Sequence, residues 1–399
     1  MGRTNGSGRG RRRGRTALVC AGGGVTGAVY EIGALRALEE LLGRSVLDFD
    51  LYVGVSGGAF VASLLANGIS PVEMYDEVVM HGSRPFGVSA APVFSLGLTD
   101  LLKRATRAPR ILSDAFFTAM TGEGRNLSDL GLALFELLPA GLLDTSGMQR
   151  YLEQLFRMRG RSDSWADLAR ELYIVAVDLD DGKAVAFGEE GRRGVPVSRA
   201  VQASIAMPGL YRPVRIDGRD YVDGGVKKTA HINLAIRHGA DLVVCINPIV
   251  PIQNDVRGGA LGGHLSDRGI TYVLDQALRI MLHGRMQYGL ERYEVEHPDV
   301  DILLIEPGRD DLEMFSFNIM RMSGRRLVAE NGYRTVVDSF AKHRASYARM
   351  LKRHGISLHQ PPGSAEPPAR RRAGGSGLAR TLDGSLDRLD GKLRRARVS

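Results

Sequence analysis

The segment Gly54-Val55-Ser56-Gly57-Gly58 constrains the fold of this chain more than any other stretch. The apolar run at 51–53 before it predicts a buried β-strand, and residues 59–66 after it predict a helix. A serine on such a strand-to-helix turn exposes its hydroxyl at a helix N-terminus, where free N–H groups favour a developing negative charge. The segment therefore predicts a nucleophile at Ser56, on a turn that Gly54 and Gly58 allow to form.

A second glycine-rich turn lies upstream of this one. Residues 16–21 predict a buried strand, Gly22 to Gly27 form a glycine-rich loop, and residues 28–42 predict a helix. Glycines let successive backbone N–H groups point at one spot, and a helix start adds to this anion pocket. The occupant is either a dinucleotide pyrophosphate or the oxyanion of a tetrahedral acyl intermediate.

The dinucleotide alternative matches the glycine spacing but not its surroundings. Gly22, Gly24 and Gly27 satisfy the G-x-G-x-x-G pattern, which also needs an acidic residue at the end of the second strand. Asp48 and Asp50 have about the right spacing, but they precede the second strand. The sequence therefore favours the acyl intermediate, with a dinucleotide-binding enzyme as the weaker alternative.

Two further motifs follow in the second half of the chain. Residues 203–213 read Ala-Ser-Ile-Ala-Met-Pro-Gly-Leu-Tyr-Arg-Pro, and residues 219–225 end an apolar stretch in Asp-Gly-Gly. Together with the glycine-rich loop and the Gly-x-Ser-x-Gly turn, in this order, they resemble the patatin-like phospholipase family over roughly residues 16–250, and more loosely to about 350. Each motif alone is modest evidence, because glycine makes up 50 of the 399 residues.

The resemblance implies a fold, a reaction and a set of site residues. The fold is a three-layer α/β/α arrangement around a doubly wound, mostly parallel sheet. The reaction is hydrolysis of lipid acyl esters, most simply of phospholipids or lysophospholipids, with no metal and no organic cofactor. Ser56 would be the nucleophile and Asp223 its base. The backbone N–H groups of three glycines would form most of the oxyanion hole: Gly22, Gly23 and Gly24. The supporting glycines would be Gly27, Gly54, Gly58, Gly224 and Gly225.

One position departs from the family pattern. The family's glycine loop usually has a basic residue before its last glycine, and this chain has Thr26 there. The backbone donors are unaffected by this change, whereas anion stabilisation by a side chain is lost. A catalytically weak lipid-binding relative is therefore a competing interpretation.

The identity of the base leaves an alternative open. A lone carboxylate is a weak base at neutral pH unless burial raises its pKa, and Asp223 lies between an apolar stretch and two glycines. A conventional triad would instead use a histidine after the acid, and His231 and His238 both follow Asp223. Neither histidine has a local signature that marks it as catalytic.

The remaining pattern predicts an α/β domain. Apolar runs predict strands at 16–21, 50–55, 172–177, 184–187, 241–246 and 301–305, with helical stretches between them. Asp178, Asp180 and Asp181 are better explained by a hairpin turn than by a metal site. Cys20 and Cys245 lie within predicted strands and are expected in the core of a protein in a reducing compartment. Residues 81–165 predict a helical cap over Ser56 that shapes an acyl-chain channel; the apolar stretch 129–143 is either part of this cap or a core helix, and 314–320 either line the same channel or belong to the core.

The basic character of the chain comes from its ends. Residues 1–15 hold six arginines and no acid, and residues 361–399 hold nine basic residues against four acidic ones. We predict a disordered tail at 1–15, a hydrolase domain at 16–355 and a tail at 356–399, in which leucine spacing indicates an amphipathic helix over 377–396. The tails suggest association with anionic membranes rather than a specific nucleic acid. Without an apolar segment typical of a signal peptide or an 18-residue apolar run, a cytoplasmic location is expected, with peripheral membrane association through these tails. The oligomeric state and the lipid head group stay open.

Overall fold

The computed structural model describes residues 14–80, 95–96, 139–158, 160–258, 262–309 and 322–359. Within them the chain alternates between strands and helices. The strands are β1 (Thr16–Cys20), β2 (Leu51–Val55), β3 (Ser95–Leu96), β4 (Gly141–Asp144), β5 (Glu171–Asp178), β6 (Ala184–Phe187), β7 (Gly209–Tyr211), β8 (Val214–Ile216), β9 (Arg219–Asp223), β10 (Leu242–Ile246) and β11 (Asp301–Ile305). The helices are α1 (Gly24–Leu42), α2 (Gly57–Ala66), α3 (Pro71–Met74), α4 (Ser146–Phe156), α5 (Val197–Ser204), α6 (Ile232–Arg237), α7 (Ile270–Glu296), α8 (Met322–Lys342) and α9 (Arg344–Arg353).

The central sheet has eight strands in the order β11-β10-β1-β2-β5-β9-β8, with β6 also paired to β5. Strands β11, β10, β1, β2 and β5 run parallel to one another, whereas β6 and β9 pair with β5, and β8 with β9, in the antiparallel direction. The chain moves from β1 to β2 on one side and later returns to place β10 on the other side of β1. This reversal of direction is the topological switch point of a doubly wound sheet, where ligand sites form at the carboxyl ends of the strands.

Apolar side chains cover both faces of the sheet. Alternate residues of the strands point to opposite faces, so Leu18 joins the core under α1, α2 and α8, while Val19 joins the core under α6 and α7. The largest packing partner of α1 is α8, and Gly33 and Gly332 permit this contact. A β-carbon at Gly33 would lie 1.8 Å from the carbonyl oxygen of Ala329. Helices therefore cover both faces, which confirms the predicted α/β class.

The six strands predicted from apolar runs are confirmed within about two residues at their ends. The sequence analysis did not predict β3, β4, β7, β8 or β9 as strands. A smaller sheet with the order β3-β4-β7 lies apart from the central one. The antiparallel pairs of β6, β8 and β9 make the central sheet mixed rather than uniformly parallel.

The predicted cap at 81–165 lies largely outside the described residues, as do residues 314–320. The described part of this range includes β4 and α4, and α4 buries Tyr151, Leu152 and Phe156 in the main core. The cap therefore stays a prediction for residues before 139. Of the tails predicted at 1–15 and 356–399, residues 1–13 and 360–399, including the helix at 377–396, also lie outside the described residues. The described residues 356–359 lie against the body, and Ile356 is buried in the main core. Among the helices that the structure describes, none combines the length and apolar character needed to cross a membrane.

Candidate active site

The register of the central sheet brings Ser56 and Asp223 together. Val55, the last residue of β2, pairs with Val175 on β5. The next residue of β5, Ala176, pairs with Asp223 at the end of β9. Ser56 and Asp223 therefore lie on either side of Ala176, and both are buried, with 5% and 4% of their surface exposed.

The turn that carries Ser56 has an unusual backbone. Ser56 has φ 53° and ψ −126°, a conformation that non-glycine residues rarely adopt and that marks functional turns. Helix α2 begins at the next residue, so Ser56 lies at its N-terminus. This is the geometry predicted for the strand-to-helix turn, and it points the hydroxyl away from the strand it follows.

The glycines around this turn are needed because other backbone segments approach them closely. A β-carbon at Gly54 would lie 2.6 Å from the Cα of Ala59, and one at Gly58 would lie 2.3 Å from the carbonyl oxygen of Cys20. At Gly57 it would lie 2.1 Å from the carbonyl oxygen of Gly24. These contacts hold the nucleophile turn directly against the glycine-rich loop.

Ser204 supports the turn from a third direction. Its hydroxyl oxygen accepts a hydrogen bond from the Ser56 N–H at 2.9 Å and donates one to the carbonyl oxygen of Val175 at 2.6 Å. Ser204 is fully buried at the end of α5. The sequence analysis noted the 203–213 segment as a motif, but only the structure shows that its serine holds the backbone of Ser56.

Asp223 is held as a buried carboxylate beside Ser56. Burial raises the pKa of Asp223 to about 6, while hydrogen bonding from the Ser56 side chain and from the Gly225 N–H opposes this rise. The Gly225 N–H donates to Oδ1 at 2.8 Å, and the Asp223 N–H donates to the carbonyl oxygen of Ala206 at 3.0 Å. A carboxylate with a pKa near 6 is a better base at neutral pH than an exposed aspartate.

The structure corrects one member of the predicted oxyanion hole. The N–H of Gly22 donates to the carbonyl oxygen of Thr229 at 2.9 Å, so it is already engaged and we leave Gly22 out of the hole. Helix α1 begins at Gly24, which has φ 59°, and in the described part of the chain no hydrogen bond engages the N–H of Gly23 or Gly24. The Gly57 N–H at the start of α2 is equally unengaged there and was not anticipated from the sequence.

The other supporting glycines lie close to a backbone oxygen or to a side chain. A β-carbon at Gly27 would lie 2.8 Å from Cγ of Pro248, and one at Gly224 would lie 2.3 Å from the carbonyl oxygen of Val175. Gly22 is less restricted, because a β-carbon there would lie 3.4 Å from Cβ of Ser56, an ordinary van der Waals distance. At Gly225, a β-carbon would lie 3.1 Å from a carboxylate oxygen of Asp223.

Neither histidine that follows Asp223 is placed as its partner. The ring of His238 stacks on Tyr173, with centroids 4.1 Å apart, and its backbone oxygen accepts a hydrogen bond from Arg15 at the opposite edge of the sheet. His231 is buried and interacts with the backbone of Gly224, and burial lowers the pKa of His231 to about 4. The geometry thus favours the carboxylate over a histidine as the base.

The structure also locates the acidic residues considered for a dinucleotide site and for a metal site. Asp50 accepts hydrogen bonds from the N–H and hydroxyl of Thr16, at the amino end of β1 and therefore away from the glycine-rich loop. Asp178 accepts the N–H groups of Asp180 and Asp181 in the turn between β5 and β6, and it pairs with Arg219 at 2.6 Å. The first arrangement argues against a dinucleotide site, and the second is the predicted hairpin turn.

Replacing Ser204 with alanine is expected to lower kcat for a soluble ester by about 10- to 100-fold with little change in KM, because the Ser56 N–H loses its acceptor and the turn loses its fixed geometry. Steady-state kinetics and the rate of labelling by a fluorophosphonate measure this. Ser198→Ala is the matched control: it removes another fully buried hydroxyl of α5, bonded to Asp163, which is not part of the site. Equal kinetics for the two variants would contradict a positioning role, as would a Ser204→Thr variant no better than Ser204→Ala.

Comparison with known proteins agrees with the sequence motifs. The family model for patatin-like phospholipase matches residues 18–236, more than half of the chain. A curated relative from Invertebrate iridescent virus 6, named probable lipid hydrolase 463L, is 21% identical over 227 residues, covering 55% of this chain and 63% of that protein. The Escherichia coli protein YjjU, described as uncharacterized, is 26% identical over 237 residues, covering 59% of this chain and 52% of its own.

The solved structure of VipD from Legionella pneumophila is similar with a TM-score of 0.41 and 16% identity, over 83% of this chain and 67% of that one. The chain spans between half and two thirds of the length of the two curated relatives.

Proposed function

This chain belongs to the patatin-like phospholipase family, and from that membership we propose that it is a serine lipid acyl hydrolase acting on phospholipids or lysophospholipids. Family membership supports lipid hydrolysis in general, and the site supports the finer assignment. The observation that carries the proposal is the buried Asp223 carboxylate, with its pKa raised to about 6, beside a serine on a strained turn. A nucleophile and its base are thereby placed in one water-poor site at the switch point of the sheet.

The proposed reaction has two steps. Ser56 Oγ attacks the ester carbonyl carbon while Asp223 accepts its proton, and the N–H groups of Gly23, Gly24 and Gly57 stabilise the oxyanion. The intermediate then breaks its bond to the alcohol, which takes the proton from Asp223 and leaves an acyl-serine. A water molecule gives a proton to Asp223 and attacks this acyl group, and the fatty acid leaves as Ser56 regains its proton.

The experiment is labelling of the purified protein with a fluorophosphonate, followed by fatty-acid release from phosphatidylcholine, phosphatidylethanolamine, phosphatidylglycerol and their lyso forms. Labelling together with fatty-acid release supports the proposal, and the panel identifies the preferred head group. Absence of labelling in the presence of lipid vesicles contradicts the proposal and favours a lipid-binding protein without catalysis. Thr26, in the place where the family usually has a basic residue, is the sequence feature that agrees with this alternative.

The pH dependence should follow Asp223. Only the ionised carboxylate can accept the serine proton, so kcat/KM should rise with pH to a plateau, with a midpoint near 6. Below this midpoint the rate should fall about tenfold for each pH unit, because the ionised fraction falls by that factor. The initial rate with a soluble p-nitrophenyl ester between pH 4.5 and 8.5 gives the profile. A rate that is already constant from pH 5 upward would instead match an ordinary aspartate or His231, whose pKa is about 4, and would count against a desolvated base.

A further inference from the structure

Helix α7 carries at its start an apolar surface that the other described residues leave uncovered. In its first twelve residues, 270–281, six large apolar side chains have exposed fractions of 38% to 69%. They are Ile270, Val273, Leu274, Leu278, Ile280 and Met281. Isolated exposed apolar residues are ordinary on protein surfaces, but a contiguous group on one helix indicates an interaction site.

The opposite side of this helical segment is fixed to the body by polar contacts. The side chain of Gln276 accepts a hydrogen bond from the Ile252 N–H at 3.0 Å and donates one to the Ile252 carbonyl oxygen at 2.8 Å. Asp275 and Arg279 are the charged residues of 270–282, and they neutralise each other at 2.7 Å. The exposed apolar side chains therefore lie on a helical segment that is anchored to the body and carries no net charge.

The surface lies at the edge of the sheet that carries the candidate active site. Ile252 belongs to the segment that leaves the carboxyl end of β10, and Pro248 in the same segment contacts the glycine-rich loop. Farther along α7, Arg285 donates to the carbonyl oxygen of Val226 at 3.0 Å, three residues after Asp223. Helix α7 thus connects the apolar surface to the loop that holds the candidate base.

Other exposed apolar residues occur at this same edge. Val25 in the glycine-rich loop, Leu179 just after β5 and Val226 just after Asp223 are all exposed by 40% to 49%. Exposed arginines flank the apolar segment of α7 at positions 268 and 285, and the exposed Asp267 lies beside the first of them. An apolar surface with cations at its rim matches the boundary between acyl chains and phosphate head groups.

We propose that residues 270–281 of α7 form a docking surface for a phospholipid bilayer, which places the carboxyl edge of the sheet against the membrane. The proposal rests on the proposed function, since a lipid acyl hydrolase must reach esters that lie just below the membrane surface. A second copy of the chain is a less suitable occupant. A stable protein interface uses about 20–30 residues on each side, many more than this segment offers.

The test uses a single reporter on the full-length chain. Both native cysteines, Cys20 and Cys245, are fully buried, and burial raises the pKa of each thiol, so a new surface cysteine can be labelled selectively. We would introduce Leu274→Cys in a Ser56→Ala background, attach an environment-sensitive fluorophore and add vesicles of pure phosphatidylcholine. Val72→Cys, on an exposed apolar residue of α3, is the matched control.

The expected result is an increase in emission of about threefold or more at position 274, against little change at position 72, because only the former enters the acyl region. Equal responses at the two positions overturn the proposal. The proposal is also overturned if, without vesicles, the emission at position 274 increases with protein concentration, since the surface would then be an interface between copies of the chain. Uncharged vesicles separate this surface from the basic tails, which would need anionic lipid.

A second variant tests the consequence for activity. Leu274→Gln/Met281→Gln should reduce affinity for phosphatidylcholine vesicles by about tenfold or more, since burial of two large apolar side chains is lost. Hydrolysis of a soluble short-chain ester and fluorophosphonate labelling should stay at the level of the parent protein. Unchanged affinity of this variant for vesicles overturns the docking surface. Failure of the parent protein to be labelled contradicts the proposed function only, and the vesicle affinities still decide the docking surface.

Discussion

Ser56→Ala is expected to eliminate fluorophosphonate labelling and to lower ester hydrolysis by about 1,000-fold or more, because loss of a catalytic nucleophile removes the covalent route entirely. The change deletes one oxygen atom and leaves the backbone N–H of residue 56 free to bond to Ser204. The fold should therefore be retained. In-gel fluorescence of the labelled protein and initial rates with a soluble ester measure the two effects.

Ser63→Ala provides the matched control for this variant. Ser63 is a buried serine of α2 whose hydroxyl bonds to the carbonyl oxygen of Phe60, outside the site. The Ser63→Ala variant should be labelled at the rate of the parent protein. Labelling that persists in Ser56→Ala would mean that another serine is the activated one, and the assignment of the nucleophile would have to be abandoned.

The elements of the fold that depend on local sequence were predictable. The apolar runs at 16–21 and 50–55 form β1 and β2, and the glycines after each form the two turns that meet at the site. A parallel strand buried on both faces needs a continuous apolar run, and a tight turn at its end needs glycine, so both leave a clear pattern. The order of four such motifs was enough to indicate the fold.

What could not be predicted depends on contacts between distant parts of the chain. The N–H of Gly22 was assigned to the oxyanion hole, yet it donates to Thr229, a partner that no local pattern reveals. The support of Ser56 by Ser204 likewise joins a strand end to a distant helix end. Strands β7 and β8 have three residues each, too few to show an alternation of apolar and polar positions.

Asp223→Asn should lower kcat by about 100- to 10,000-fold, the usual contribution of a general base. The amide has nearly the shape of the carboxylate and can still accept the Gly225 N–H, but it cannot take a proton from Ser56. Asp220→Asn is the matched control, because Asp220 lies on the same strand and pairs with the exposed Arg215 outside the site. Steady-state rates at pH 8 compare the two variants, and equal rates would remove Asp223 from the mechanism.

Asp223→Asn should also raise the free energy of unfolding at neutral pH, whereas loss of a purely structural aspartate would lower it. The pKa of Asp223 is raised from 3.8 to about 6 by burial, so the folded state holds its proton more tightly than the unfolded chain. The resulting stabilisation is present in full below pH 3.8 and is lost as the pH rises through 6, a change of about 3 kcal/mol in the free energy of unfolding.

Because asparagine does not titrate, the free energy of unfolding of Asp223→Asn should increase relative to that of the parent protein by about 2 kcal/mol between pH 4 and pH 7.5, since the unfolded carboxyl is already partly ionised at pH 4. Urea titrations at the two pH values measure it. If Asp223 is a base that stays ionised in a buried site and thereby destabilises the fold, Asp223→Asn should be less active but more stable than the parent protein at neutral pH. A structural carboxylate held by favourable hydrogen bonds predicts a loss of stability at neutral pH, and this result would contradict the proposed role of Asp223.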